Sequence, residues 1–350
     1  MTTPKRRLPV MADVAKEAGV SHQTVSRVLN DHPNVRADTR ARVEEAIIRL
    51  GYRRNLVARA LVTKRSRTLG VVSFDTTLYG PASTIYGIEQ AARSAGYFVS
   101  IVSLKSIDAA GVRDAIDYLA EQGVDGVVVV APQRSAARAL ENLPSGMPAV
   151  AVEGTHSADV SVVCIDQIEG ARLATRHLLQ LGHETVWHVS GPSDWLETEG
   201  RMQGWRAVLE EAGRDVPEPL AGDWSPRAGY EAGKSLARMA GVTAVFAAND
   251  QMALGVLRAL SEAGVRVPDQ ISVVGFDDIP ESAFFSPPLT TVRQDFDVVG
   301  RHCIEVLLRQ IDGHVGGPPA DMPLDGGPAA YERLVVRPAF VVRSSTAPTR

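Results

Sequence analysis

Long apolar runs are missing from this chain of 350 residues, and none approaches the roughly 20 consecutive apolar residues that a bilayer span needs. The first ten residues are short of hydrophobic side chains and basic, so no secretory signal is expected and a cytoplasmic address follows. Cysteine is scarce. Cys164 and Cys303 stand far apart without a CxxC partner, which excludes a disulfide framework and a cysteine-rich zinc site and leaves two buried thiols. Catalytic signatures are also thin. The 8 histidines are scattered, His183 and His188 flank one predicted strand, and neither HExxH nor a nucleophile elbow occurs. Residues Gly229 to Ser235 end in Gly-Lys-Ser, but Ala228 stands where a phosphate loop needs its first glycine, and Pro226 to Met239 reads as one helix. No catalytic residue, metal site or cofactor is expected, and the chain is not read as an enzyme. What remains, 45% hydrophobic and 22% charged residues, is the composition of a soluble protein with two or three domains.

The net charge of −4 hides an asymmetry. Residues 1–68 carry 15 Lys/Arg against 6 Asp/Glu, while the remainder carries 22 against 35. A basic head on an acidic body points to a polyanionic partner. The head also has a folding pattern. Val14, Ala15 and Ala18, then Val25, Val28 and Leu29, then Val43, Ala46, Ile47 and Leu50 recur at helical spacing in three short blocks. Gly19-Val20-Ser21 leaves only a tight turn between the first two, with Gly19 suited to a left-handed backbone and Ser21 to capping the second helix. This spacing predicts a helix-turn-helix. Its second helix, His22 to Asn30, buries Val25, Val28 and Leu29 and turns His22, Gln23, Ser26 and Arg27 outward. Gln pairs bidentately with adenine and Arg with guanine, and Thr24, Ser26 and Asn30 suit phosphates, so this face fits a major groove.

Those residues carry a resemblance. Asp13-Val14-Ala15, Ala18-Gly19-Val20-Ser21 and Thr24 to Asn30, continuing to Thr39-Arg40 and Leu50-Gly51-Tyr52, are similar to the DNA-binding head of the LacI/GalR transcriptional repressors. The resemblance implies that His22, Gln23 and Arg27 read bases. Arg36 departs from the serine usual at its position, which puts the cap of the third helix in question. It extends through Arg53 to Leu61, a basic stretch with one or two turns of helix potential, implied to be a hinge helix that folds over the operator centre. Asn55 belongs to that hinge, and Leu61 stands where the family wedges a leucine into the minor groove. Arg54 replaces a proline often found there.

From Leu69 on, short β-rich runs alternate with helical stretches: Leu69 to Phe74, Tyr97 to Ser103, Val127 to Ala131, Ala149 to Val152, Ser161 to Ile165, Thr185 to Ser190, Ala244 to Ala248 and Ser272 to Phe276. Parallel strands with crossover helices give this pattern, and most runs end in a polar or turn residue, where open sheets bind ligands. So many strands suggest two α/β lobes with a cleft, a single large domain being the alternative. Gly222 to Ser225, Ala248 to Gly255, Ser272 to Asp278 and Pro287 to Thr291 resemble the family's periplasmic-binding-protein-like core. The implied fold is α + α/β: a three-helix head (1–51), a hinge (52–68), and a core (69–345) of two lobes, 69–165 plus 296–323 and 166–295 plus 324–343.

By position in that family, Glu153, Arg201, Asn249 and Asp277 would bond sugar hydroxyls, and Trp224 would offer a ring face. Phe74, Leu78, Ile165 and Phe296 fall at pocket-wall positions, and Trp195 reads equally as a second stacking platform or a packing residue at a helix start. Asn249-Asp250 as a helix cap and Asp277-Asp278 as a turn are the plain structural alternatives. The reading is a sequence-specific DNA-binding transcriptional repressor controlled allosterically by a small sugar, a galactoside or other glycoside. Its expected partners are double-stranded operator DNA, the sugar and a second copy of the chain in a homodimer, with no membrane. No leucine-heptad helix follows the strand-like tail Leu334 to Val342. A transporter's solute-binding component and a sugar-processing enzyme are the runners-up, disfavoured by the DNA-reading head and by the lack of an acid–base pair.

Overall fold

The computed structural model describes residues 9–53, 65–74, 77–104, 109–130, 132–134, 146–153, 160–315 and 331–349. The hinge residues Asn55 and Leu61 lie outside these. The chain divides into two compact units, 1–66 and 67–350.

In the first unit, α1 (Met11–Ala18), α2 (His22–Leu29) and α3 (Ala37–Leu50) close on a core of Val14, Ala18, Val25, Val28, Val43 and Ala46, with Tyr52 buried against it. Gly19 ends α1 at φ 64°, and the Thr24 N–H donates to Ser21 Oγ at 3.1 Å, capping α2. Leu29 is only half-buried, because it lies at the last position of α2, where the helix leaves the core. Arg36 gives α3 no side-chain cap, in keeping with a side chain that has no acceptor to offer.

The second unit holds two parallel sheets, each between helical layers. The larger is built from β1 (Thr68–Phe74), β2 (Phe98–Leu104), β3 (Gly126–Val130), β4 (Ala149–Val152), β5 (Ser161–Ile165) and β11 (Arg333–Val336) in the order β11-β5-β4-β3-β1-β2. β3 is valine-rich and buried on both faces, as a central parallel strand must be. One face packs on α4 (Tyr79–Ser94) and α10 (Phe296–Val315), the other on α5 (Ala109–Glu121). α4 and α10 cross with Gly87 against Gly300, where a Cβ on either would overlap the opposing backbone. The smaller sheet, β7-β6-β8-β9, comprises β6 (Trp187–Ser190), β7 (Leu220–Ala221), β8 (Ala244–Ala247) and β9 (Ser272–Val274). It lies between α6 (Gln167–Gln180) with α7 (Leu196–Glu211) and α8 (Pro226–Leu236) with α9 (Asp250–Glu262). β10 (Thr291–Arg293) pairs antiparallel with β12 (Ala339–Val341) beside it.

The chain passes between the lobes three times: from β5 into α6, from β10 into α10, and from β11 to β12. This last passage corrects the expected division. The tail Leu334 to Val342 is not one strand, because Pro338 cannot continue a ladder. Its first half is the edge strand of the larger sheet and its second half pairs in the smaller lobe, so 333–336 falls in the first lobe rather than the second. β7, two residues long, has no counterpart among the predicted strands. Residues 226–236 form the predicted helix, three residues shorter at its end. Both cysteines are buried thiols. Among the described residues no helix is long and apolar enough to cross a membrane.

Candidate functional site

Two sets of side chains were singled out, one in each unit. On α2, His22, Gln23 and Arg27 are exposed on one face and Val25 and Val28 face inward, as the spacing predicts. Asn30 follows the last turn of α2 and donates from Nδ2 to the Ser26 carbonyl at 2.9 Å, and the Thr24 hydroxyl lies 2.9 Å from that of Ser21. Arg27, in the last turn, and His22, at the start, therefore mark the ends of one polar stripe on a short, well-capped helix.

Between the two lobes of the second unit lies a cavity of about 270 Å³. The strand ends bring Ile165 and Glu153 to it from the larger sheet and Asn249 from the smaller. Arg201 projects from α7, Phe296 starts α10, and Leu78 stands just before α4. Trp195, Trp224 and Asp277 complete the expected set along its wall. Phe74 is the exception. It does not line the cavity but packs edge-on against Trp195, ring centroids 6.3 Å apart, half-buried between the cores of the two lobes.

Three of these residues hold left-handed backbones that their side chains do not favour: Glu153 (φ 53°), Trp224 (φ 72°) and Asp277 (φ 105°). Such conformations are held in place by their surroundings and gather at binding sites. Trp224 lies over Gly191, where a Cβ would collide with the indole. The Asp277 turn is fixed by Asp250, whose carboxylate accepts from the Ile279 N–H at 2.9 Å and the Thr291 hydroxyl at 2.6 Å.

A buried polar network joins the lobes at their crossings. Gln167, just past β5, donates to Glu153 at 3.3 Å and to Gln294 at 3.0 Å, and Gln294 donates to Asp277 at 2.6 Å. Arg201 Nε donates to Gln167 at 2.9 Å, its Nη1 to the Ala248 carbonyl, and its Nη2 lies 3.6 Å from Asp277. The guanidinium also stacks 3.8 Å from the Phe276 ring centroid. Burial pushes the Asp277 carboxyl up to about 6 against the pull of Arg201 and Gln294. Burial likewise raises Glu153, opposed by the Ile165 N–H and Gln167, and lowers Arg201, opposed chiefly by Asp277.

Asn249 serves the structural role expected as the alternative. Its Oδ1 accepts from the Met252 N–H at 2.8 Å, capping α9, and its Nδ2 donates to the Trp224 carbonyl at 3.1 Å. Trp195 stands at the start of α7 as a packing residue, bridges to Gln133 of the other lobe, and meets Trp224 edge-on at 5.4 Å while lining the cavity. Sequence reasoning passed over Gln167, Glu197, Gln251 and Gln294, all on the cavity wall. A signal for Glu197 existed, since it stands four residues before Arg201 and so on the same helix face. His188 was no site residue. It is sealed among Trp205 and Phe246, and burial lowers it to about 4. Among the described residues no group of three or more acidic, histidine or cysteine side chains is placed to hold a metal ion.

Residues 10–55 match the lacI family of bacterial regulatory proteins, and residues 175–346 match a periplasmic binding protein-like domain. The lactose operon repressor of Escherichia coli (strain K12) is 35% identical over 306 residues, spanning 86% of this chain and 84% of that protein. The chain belongs to the lacI family. As a member of that family it is a transcriptional regulator of the repressor type. The regulator CelR of Thermobifida fusca is 36% identical over 331 residues, 90% of this chain and 95% of that one. Among solved structures, the lac repressor dimer bound to operator and the anti-inducer ONPF superposes with a TM-score of 0.83 at 32% identity, covering 97% of this chain and 100% of that one. A complex of CelR with cellobiose superposes with a TM-score of 0.69, covering 96% and 99%.

Proposed function

We propose that this family member is a repressor that binds double-stranded operator DNA as a homodimer, and that a small sugar, a galactoside or other glycoside, sets its operator affinity. The inter-lobe cavity carries the reading. Directional donors and acceptors from both lobes, Glu153, Gln167, Arg201 and Asp277, face a space walled by Trp195 and Trp224, which suits a ring with an apolar face and hydroxyl edges. The related lac repressor is seen with operator and ONPF, and CelR with cellobiose. On the head, the stripe of His22, Gln23 and Arg27 would read bases, with Thr24, Ser26 and Asn30 on phosphates and with Asn55 and Leu61 in the hinge. A sugar that fits one closure of the lobes better than another shifts the balance between DNA-competent and incompetent dimers.

The test is calorimetric titration of mono- and disaccharides into the full-length protein, paired with operator binding. Asp277→Ala and Asn249→Ala are expected to weaken sugar binding strongly and to leave sugar-free operator affinity nearly intact. Loss of folding in both variants would instead assign these residues a purely structural role.

A further inference from the structure

The charge around the cavity does not balance. Three carboxylates, Glu153, Glu197 and Asp277, face it, and among its described lining residues Arg201 is the single cation. Two of the carboxylates are provided for. Glu153 accepts from the Ile165 N–H at 2.9 Å and from Gln167, and Asp277 accepts from Gln294 and faces Arg201. The Arg201 guanidinium is itself occupied by Gln167, Ala248 and Asp277. Glu197 is different. Its Oε2 is enclosed and has no hydrogen-bond partner, and the same holds for Gln251 Oε1 on the same wall. The one orphaned donor on that wall is Trp224 Nε1. The unfilled half of the site therefore asks for donors more than acceptors, at a carboxylate that has lost its water. A buried carboxylate in this position is costly unless it is protonated or meets a cation. The aromatic walls favour the second course: Trp195 and Trp224 both line the cavity, and the Arg201 guanidinium already lies 5.4 Å from the Trp224 ring centroid, so this wall accommodates a cation.

We propose that the cavity takes an amino sugar, whose protonated amine is held by the Glu197 carboxylate beside the rings of Trp195 and Trp224. The inference rests on the sugar reading and narrows it. Without ligand, burial raises the Glu197 carboxyl well above the usual range, with the Glu153 and Asp277 charges adding to the effect and Arg201 and the residue's own backbone N–H opposing it. Burial therefore favours the protonated acid in the empty site, and an incoming ammonium displaces that proton. One proton leaves to buffer as one ion pair forms, and no other bond changes. A neutral sugar leaves that proton in place.

The experiment is calorimetry on the full-length protein near pH 7 with glucosamine and galactosamine, their parent hexoses, and their N-acetyl derivatives, in two buffers of different ionisation enthalpy. The expected result is an amine form bound at least about tenfold more tightly than the parent or the N-acetyl form, with net release of protons to the buffer. Glu197→Gln should bring the amine to within about threefold of the parent hexose and abolish proton release. Equal binding of amine and parent hexoses without proton release overturns the inference and leaves the sugar reading standing. An amine preference that survives Glu197→Gln overturns the assignment to Glu197. Binding of none of these sugars overturns the inference and leaves the sugar reading to the titration of mono- and disaccharides. Should Glu197→Gln not fold, the amine preference and proton count of the native protein decide the matter alone.

Discussion

Asp277 is held with a left-handed backbone and a carboxyl whose ionisation burial opposes. Its folded value of about 6 lies above that of an ordinary aspartate, so the native state binds the proton more tightly. The stability this contributes is complete below about pH 4 and is lost as pH rises through 6, a change on the order of 3 kcal/mol. Urea unfolding across pH 4 to 7 should therefore show the native protein losing stability relative to Asp277→Asn, and parallel curves would contradict the burial argument. Arg27 is exposed on α2, and on the proposed reading it acts on DNA rather than on the fold. Arg27→Ala is expected to cost about 1 to 3 kcal/mol of operator binding and to relax preference at one base pair per half-site, measured by titration against single-base operator variants. At this scale the sequence was legible where a residue closes a strand, as with Glu153, Ile165 and Asn249. Glu197 and Gln294 were not. An acid in a helix's first turn and a glutamine in a connection read as solvated groups, and only the opposing lobe buries them.

Helix ends set the next scale. The first turn of α3 lacks a side-chain cap because Arg36 has no acceptor, whereas Ser21 caps α2. Arg36→Ser should stabilise the head, and Ser21→Ala should destabilise it, each by about 1 kcal/mol, read from hydrogen exchange of the amides in the first turns of α3 and α2. No change for Arg36→Ser would mean that the Arg36 backbone does not suit a capping hydroxyl. Element existence followed from periodicity in the head and from apolar runs in the core. β7 escaped because two residues carry no period. The tail was misread as one strand because its β-rich residues continue on both sides of Pro338, and the change of sheet there is a long-range fact.

For the molecule as a whole, the proposed control is a coupling between two sites, and coupling is reciprocal. Whatever factor sugar takes from operator affinity, operator must take from sugar affinity, and 5- to 150-fold is typical. Titrating sugar with and without operator should give two affinities differing by the factor seen in the reverse experiment, and Leu61→Ala should weaken operator binding while sparing sugar affinity in the free protein. Equal sugar affinities would leave the core a passive dimerisation body. The three passages between lobes carry a further consequence for synthesis. β11 completes the larger sheet only after β6 to β10 of the smaller lobe have been made, and the smaller lobe waits in turn for β12, so neither lobe is whole until residues 333–341 have been added. The head, with its own core in residues 11–52, has no such wait and can fold while the ribosome is still far from the end. On every nascent chain α2 is therefore in place before either lobe is complete, and a chain cut short anywhere before Val336 would carry a head with no complete core following it.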